Sequence, residues 1–206
     1  MTDFFREQNM HTPSQQMIQI RWHGRGGQGA ITAAKVVAEA TFQSGYAGVI
    51  MAPTFGTERR GAPVSTSLKI SRSKIYDLSP IQQPDIVVVL DSLILNEVDV
   101  TQGLRPGGLL VINSPHPAAE HACENFRVAV ANVTKIGIEA GLRKGIVNSG
   151  IIGALGKASG LVELEILARC IAHEFKGRKP DENAKAARLV YAATTISEPL
   201  SGASHA

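Results

Sequence analysis

"HGRGGQGAITAAK", residues His23 to Lys35, sets four glycines within six positions between an extended run and a helix-like run. Upstream, "MIQIRWHG" reads as a strand, with Ile18, Ile20 and Trp22 on one face and Gln19, Arg21 and His23 on the other. Downstream, Thr32, Lys35, Glu39 and Gln43 recur every three or four positions. That spacing predicts a helix with a single wet stripe, lying against a sheet. The stretch is therefore a strand, a tight turn and a helix entrance, the unit from which α/β sheets are built.

Gly24, Gly26 and Gly29 satisfy G-x-G-x-x-G in the context that gives the pattern meaning, where free backbone N–H groups and a positive helix end can face a phosphate. A dinucleotide domain then requires an acid at the end of its second strand, about 20 residues on, to bind the ribose. Here that position falls in "GVIMAP", and no acid follows until Glu58. A phosphate loop of the Walker type also fails, because no Gly-Lys-Ser/Thr closes the turn and Lys35 lies inside the helix. The glycines alone are compatible with nothing more than a sharp turn and close helix–strand packing. Arg25 and Gln28 are not explained by packing, since they place a guanidinium and an amide at a helix entrance.

Outward from this unit, "YAGVIMAP" is a second extended run, and "TFGTERRGAP" is a loop presenting Glu58, Arg59 and Arg60. "VSTSLKI" alternates as a half-wet strand. "DIVVVLD", "LLVIN" and "FRVAVAN" are continuous apolar runs, the mark of strands covered on both faces. Asp91 closes the first of these and reads as the N-cap of a short helix, "SLILNEVD"; Asn148 reads as the cap of the helix after "KGIV". From Val133 to Tyr191 the chain is helical, with Gly and Pro stops. The expected architecture is α/β: a single Rossmann-like domain over 17–193, with a mostly parallel sheet, helices on both faces and a helical C-terminal part. Residues 1–16 and 194–206 read as flexible tails.

Composition narrows the function classes. The chain has 206 residues, 44% hydrophobic and 19% charged, enough for one full core. A net charge of +3 with scattered basic residues gives no nucleic-acid footprint. No run approaches the roughly 18 apolar residues of a membrane span, and the N-terminal segment lacks the apolar core of a secretory signal, so a cytoplasmic protein is expected. Cys123 and Cys170 stand alone, where an iron–sulfur cluster needs a set of thiolates. The histidines form no HExxH pair, and His116 and His121 lie in a Pro-bounded loop, so no metal site is expected.

Together, "IRWHGRGGQGAITAAKVVAEA", "PTFGTERRGAPVSTSLKIS", "PDIVVVLD" and "NSGIIGALGKASGLV" resemble the gamma subunit of the 2-oxoacid:ferredoxin oxidoreductases, the family of pyruvate:ferredoxin oxidoreductase. The resemblance runs from about Ile18 to Tyr191, and the ordered pair GRGGQG and FGxERRGAP carries its specificity. It implies a non-cluster subunit, inert alone, of a complex that converts a 2-oxoacid and coenzyme A to acyl-CoA and carbon dioxide and passes electrons to ferredoxin or a similar acceptor. Thiamine diphosphate, Mg²⁺ and [4Fe-4S] clusters are then expected in partner subunits of the alpha, beta and delta types, with none bound by this chain alone.

The same resemblance makes Arg25, Gly26, Gly27, Gln28, Gly29, Glu58, Arg59 and Arg60 candidates for contacts near coenzyme A or thiamine, or with neighbouring subunits. Arg59 and Arg60 suit phosphate or carboxylate recognition and inter-subunit salt bridges equally. "ERRGAP" looks more like pyruvate-type than 2-oxoglutarate-type gamma subunits, with aromatic, branched-chain and indole-type oxoacids left open. Two other readings of the residues stand beside this one: a free-standing Rossmann-type nucleotide-binding domain or dehydrogenase, and a purely structural adaptor.

Overall fold

The structure is a computed structural model that describes residues 17–53 and 61–200. The tail expected over 1–16 and residues 201–206 lie outside the described residues. In chain order the elements are β1 (Ile18–Arg25), α1 (Ala30–Gln43), β2 (Gly48–Pro53), β3 (Pro63–Ser71), β4 (Ile86–Val89), β5 (Leu109–Asn113) and β6 (Arg127–Ala131). They are followed by α2 (Val133–Glu139), α3 (Asn148–Ser159), α4 (Leu164–Glu174), α5 (Pro180–Ala193) and β7 (Thr195–Ser197). Two 3-10 turns, Ser92–Asn96 and Ala118–His121, lie in the connections around β5.

The α/β architecture read from the sequence is present, and its sheet is mixed. Seven strands run in the order β2-β3-β1-β4-β5-β6-β7. β1, β4, β5 and β6 form a parallel centre, while β3 is antiparallel to both β1 and β2, and β7 is antiparallel to β6. The β2–β3 connection explains the first departure: parallel neighbours need a crossover of a dozen or more residues, usually helical, and the chain from Pro53 to Pro63 is too short to supply one. At the other edge, the tail expected from 194 onward begins instead as a strand, with Val130 opposite Thr195 and Val128 opposite Ser197. The Leu200 N–H then donates to the Cys123 carbonyl at 3.0 Å.

The two sheet faces are covered differently. On one, α1 and α3 pack against Ile20, Trp22, Leu68, Ile70, Val88 and Val111, and α4 and α5 extend the same core by packing on those helices. On the other, Val87, Val89, Leu110, Ile112 and Val128 meet Ile94, Val100 and Ala118 from the 3-10 turns and loops. The helices expected on this second face are reduced to single turns. "RPGG" and the prolines at 115 and 117 interrupt both connections around β5 before a longer helix can form.

α3 owes its position to glycine. A β-carbon on Gly153 would lie 2.1 Å from the Ala187 carbonyl oxygen, and one on Gly150 would lie 2.5 Å from Val133 Cγ1. Without those side chains α5 approaches the α3 backbone directly, and α3 is held with its N-terminus at the C-terminal ends of the parallel strands.

Candidate functional site

From β1 the chain passes through α1 and returns as β2 and β3 on one side of β1; from β4 it crosses the opposite face and continues as β5 and β6 on the other side. The connections diverge between the C-terminal ends of β1 and β4, which is the crevice where open α/β sheets bind ligands. The glycine turn leaves the end of β1, and Asp91 leaves the end of β4.

The turn is built by the glycines and closed by Gln28. Gly27 and Gly29 have φ of +94° and +80°, a region that a β-carbon disfavours. The Gln28 amide donates to the Arg25 carbonyl at 2.9 Å, and the Arg25 amide donates back to Gln28 Oε1 at 2.8 Å. Gly26 and the chain entering β3 exchange bonds: Gly26 N–H to the Ala62 carbonyl at 2.9 Å, Gly61 N–H to the Gly26 carbonyl at 3.1 Å. Among the described residues, the N–H groups of Gly27, Gly29, Ala30, Ile31 and Thr32 meet no acceptor. That row of donors at a helix start is what an anion or polarised oxygen would meet.

Asp91 fixes the turn. Its Oδ1 accepts from the Leu93 amide at 3.0 Å, which is the cap read from the sequence. Its Oδ2 also accepts from Arg25 Nε at 2.9 Å and from Gln28 Nε2 at 3.2 Å. The rest of the Arg25 guanidinium is taken by Glu97 and by the Gly61 carbonyl, the latter at 3.2 Å. The Arg25 hydrogen bond holds the Glu97 carboxyl below its ordinary range. Arg25, which the sequence places at the helix entrance as a candidate contact, is here an internal clamp between the ends of β1 and β4. Asp91 as its hub was missed: the partners are 66 residues apart, and an acid at a strand end is equally well explained as a cap.

Asn148 is placed differently from its expected role. Val147 is the N-cap of α3, and Asn148 is the first helical residue, its Oδ1 accepting from the Ser149 amide at 3.1 Å. The other end of the side chain lies over Gly29, where a β-carbon would be 2.5 Å from Asn148 Nδ2. Beside this contact a cleft of about 400 Å³ opens between Gln28, Asp91, Asn113, Thr134 and Val147. Asn113 braces its floor, donating to the Leu90 carbonyl at 2.9 Å and to Thr134 Oγ1 at 3.1 Å.

His23 lies two residues before the end of β1, under the turn. Burial, and then the neighbouring Arg21 charge, push its pKa down to about 4, so the ring is neutral near pH 7. Its Nε2 accepts from Arg21 Nε at 3.1 Å, and Arg21 is held in turn by the Val100 carbonyl at 2.9 Å. In the Pro-bounded loop, His116 pairs with Glu120 at 3.1 Å and His121 with Ser114 Oγ at 2.9 Å. Among the described residues no group of three or more His, Cys, Asp and Glu side chains is placed to hold a metal ion, and no helix is long and apolar enough to cross a membrane. Glu58, Arg59 and Arg60 lie outside the described residues.

A dinucleotide reading of the glycines loses its geometry as well as its acid. The strand after α1 does not neighbour β1; β3 intervenes, and β2 is an edge strand ending at Pro53. The fold and site define a Rossmann-like α/β domain whose glycine turn faces a strand-end crevice without the ribose-binding position of a dehydrogenase.

The chain belongs to the pyruvate ferredoxin/flavodoxin oxidoreductase family, which it matches over residues 19–193. It is 42% identical over 187 residues to the pyruvate/ketoisovalerate oxidoreductases common subunit gamma of Pyrococcus furiosus, covering 88% of this chain and 100% of that one. It is 41% identical over 175 residues to the pyruvate synthase subunit PorC of Methanothermobacter marburgensis, covering 85% and 96%. The crystal structure of the pyruvate oxidoreductase subunit PORC of Thermotoga maritima superposes with a TM-score of 0.75 at 32% identity, over 88% of this chain and 99% of that one.

Proposed function

We propose that this chain is the non-cluster gamma subunit of a thiamine diphosphate-dependent 2-oxoacid oxidoreductase acting on pyruvate or a branched or aryl 2-oxoacid. In the overall reaction the 2-oxoacid loses carbon dioxide and an electron pair, its acyl carbon is joined to the coenzyme A sulfur, and the electrons pass to ferredoxin or a similar acceptor. Thiamine diphosphate, Mg²⁺ and the [4Fe-4S] clusters belong to subunits of the alpha, beta and delta types, and the complex works in the cytoplasm. Thiamine diphosphate supplies the carbanion chemistry there.

This chain's own part is to present a rigid, donor-rich turn to a composite site. The carrying observation is the set of open amides of Gly27 and of Gly29 to Thr32, without an acceptor among the described residues and held at the strand-end crevice by the Asp91 clamp. Such a turn can hold an oxygen-rich group without reorganising, which is how a subunit without reactive groups contributes to a rate. The Gly26–Gly29 backbone and Gln28 fit contacts with coenzyme A or with the thiamine-bearing subunits. Glu58, Arg59 and Arg60, which precede β3 in the sequence, are candidates for the same contacts, Arg59 and Arg60 with either coenzyme A phosphates or partner carboxylates.

The experiment is to isolate the tagged chain from its native source, then replace Arg59 and Arg60 by Ala in the assembled complex. The expected result is co-purification with thiamine- and iron-containing subunits and a raised Michaelis constant for coenzyme A with assembly intact. Loss of assembly instead assigns the arginines to the subunit interface. Recovery only as a monomer or homodimer would defeat the proposal.

A further inference from the structure

Between β3 and β4 the chain runs from Arg72 to Pro84 as a strap without regular secondary structure, yet the fold grips it at several points. The Ser73 amide donates to Ser71 Oγ at 3.2 Å. A β-carbon on Gly48 would collide with the Ser73 carbonyl oxygen and crowd Ile75 Cγ1, so the strap lies directly on the start of β2. A β-carbon on Gly103 would collide with the Gln82 carbonyl oxygen, and the Asp85 amide donates to the Gln19 carbonyl at 2.8 Å where the strap rejoins the sheet. The firmest tie is ionic. Lys69 alternates with Leu68 and Ile70 of the helical core, so it points to the opposite sheet face, where its side chain is buried. Its ammonium donates to Asp77 Oδ2 at 2.8 Å and to the Asp77 carbonyl at 3.1 Å. A lone ammonium buried there would cost several kcal/mol, so Lys69 holds Asp77 to the sheet.

Turning Asp77 inward decides where its neighbours point. Ile75 and Asp77 face the fold, while Lys74, Tyr76 and Leu78 alternate with them and face water. Tyr76 is 86% exposed and Leu78 is 77% exposed, the two most exposed large apolar side chains among the described residues. A scattered exposed apolar residue is ordinary, but these two are displayed together on a segment whose ordering cost is met before any partner arrives. Charge narrows the partner. Arg72 donates to the Ser44 carbonyl at 3.0 Å and stacks on Tyr46, and neither it nor Lys74 has a carboxylate partner among the described residues. Asp77 is the sole acid from Arg72 to Pro84, and its charge is answered by Lys69. The outward surface is therefore apolar with a basic rim. A second copy meeting it across a two-fold axis would bring basic rim against basic rim, which disfavours a self-pairing.

We propose that the strap docks this chain onto a different subunit of the same oxidoreductase, Tyr76 and Leu78 entering an apolar recess whose rim carries carboxylates for Arg72 and Lys74. The inference rests on reading this chain as one subunit of a complex. Tyrosine is a favoured anchor at the centre of such contacts because it buries a large rigid ring, and rim charges select the partner and speed the encounter. The surface is separate from the strand-end crevice. Lys69 stands opposite Gln19 near the start of β1, whereas the glycine turn leaves the other end of that strand.

The test expresses a tagged variant beside the untagged wild-type chain in the native source and reads their ratio in the iron- and thiamine-containing complex by mass spectrometry. Tyr76→Ala is expected to enter the complex roughly 30-fold less than wild type, the effect of losing one central tyrosine. Lys74→Glu is depleted as well, and Lys74→Gln less so. Because these side chains are exposed, each isolated full-length variant melts within about 2 °C of wild type, which separates lost docking from lost folding. Amides of residues 74–79 exchange about tenfold more slowly in the complex than in the isolated chain. Equal incorporation of Tyr76→Ala, enrichment of Lys74→Glu, or unchanged exchange over 74–79 would each overturn the proposal, as would a fall in melting temperature that accounts for the depletion. Self-association of the wild-type chain that Tyr76→Ala abolishes assigns the strap to a second copy and overturns it too. Absence of the wild-type chain itself from the complex is seen before any variant is compared, and it defeats the subunit reading and this surface with it.

Discussion

Replacing Gly29 by alanine tests the geometry on which the site depends. Two costs combine. The residue sits at φ +80°, where an L-amino acid is disfavoured by roughly 1–2 kcal/mol. Its new β-carbon would also stand 2.5 Å from Asn148 Nδ2 and 3.2 Å from Asn148 Cβ. Ordinary contact begins near 3.4 Å, so α3 or the Asn148 side chain must retreat by most of an ångström. Overpacking of that kind costs roughly 1–3 kcal/mol, for a total of about 2–5 kcal/mol.

Gly27→Ala is the internal reference. It shares the positive φ, at +94°, but meets nothing within 4 Å among the described residues, so it carries only the strain of about 1–2 kcal/mol. Urea unfolding followed by fluorescence of Trp22, the sole tryptophan and fully buried, reads both variants in the full chain. In an Asn148→Ala background most of the excess cost of Gly29→Ala disappears, as coupling between touching groups requires. Equal costs for Gly27→Ala and Gly29→Ala, or additive costs in the double variant, would refute the placement of α3 against the turn.

Three further outcomes are expected. Gly153→Ala destabilises by about 2 kcal/mol, because its β-carbon meets the Ala187 carbonyl oxygen at 2.1 Å, an overpacking at the upper end of roughly 1–3 kcal/mol, and the better helix propensity of alanine returns only about 1 kcal/mol; calorimetry on the full chain checks it. For His23, burial and then Arg21 hold the folded pKa at about 4, below the unfolded value of 6.5, so the unfolded chain binds the proton first. Stability is then level above pH 7 and falls between pH 6.5 and 4, by up to about 1.4 kcal/mol per pH unit; unfolding titrations across that window should show His23→Gln losing most of this slope. Asp91→Asn keeps the Leu93 cap and loses the charge that holds Arg25, whereas Asp91→Ala loses both; hydrogen exchange at the glycine-turn amides should rise in the order wild type, Asn, Ala.

What the sequence made legible is what local chemistry decides. The alternation of Ile18, Ile20 and Trp22 assigned the helical face of β1, and the apolar runs of β4, β5 and β6 announced strands covered on both faces. The glycine turn and the α1 entrance followed from four glycines between two periodic segments. What stayed hidden depends on distance along the chain. The short connection makes β3 antiparallel to β2, but that β3 inserts between β1 and β2 is a topological fact invisible in either strand. Asp91 was recognisable as a cap but not as the hub for Arg25 and Gln28, and Asn148 was assigned to its own helix although its side chain works against another. β7 has three residues, too few for alternation to stand out from a polar tail.

The antiparallel strands at the two borders of the sheet also govern how this domain can be joined to others. One border is β7, three residues long and followed closely by Pro199; the other is β2, which begins at Gly48 and stops at Pro53. Short borders and prolines discourage a foreign strand from extending a sheet. Such borders favour a neighbour that takes hold through side chains and strand-end loops, with no hydrogen-bond ladder to be unzipped when the pieces separate.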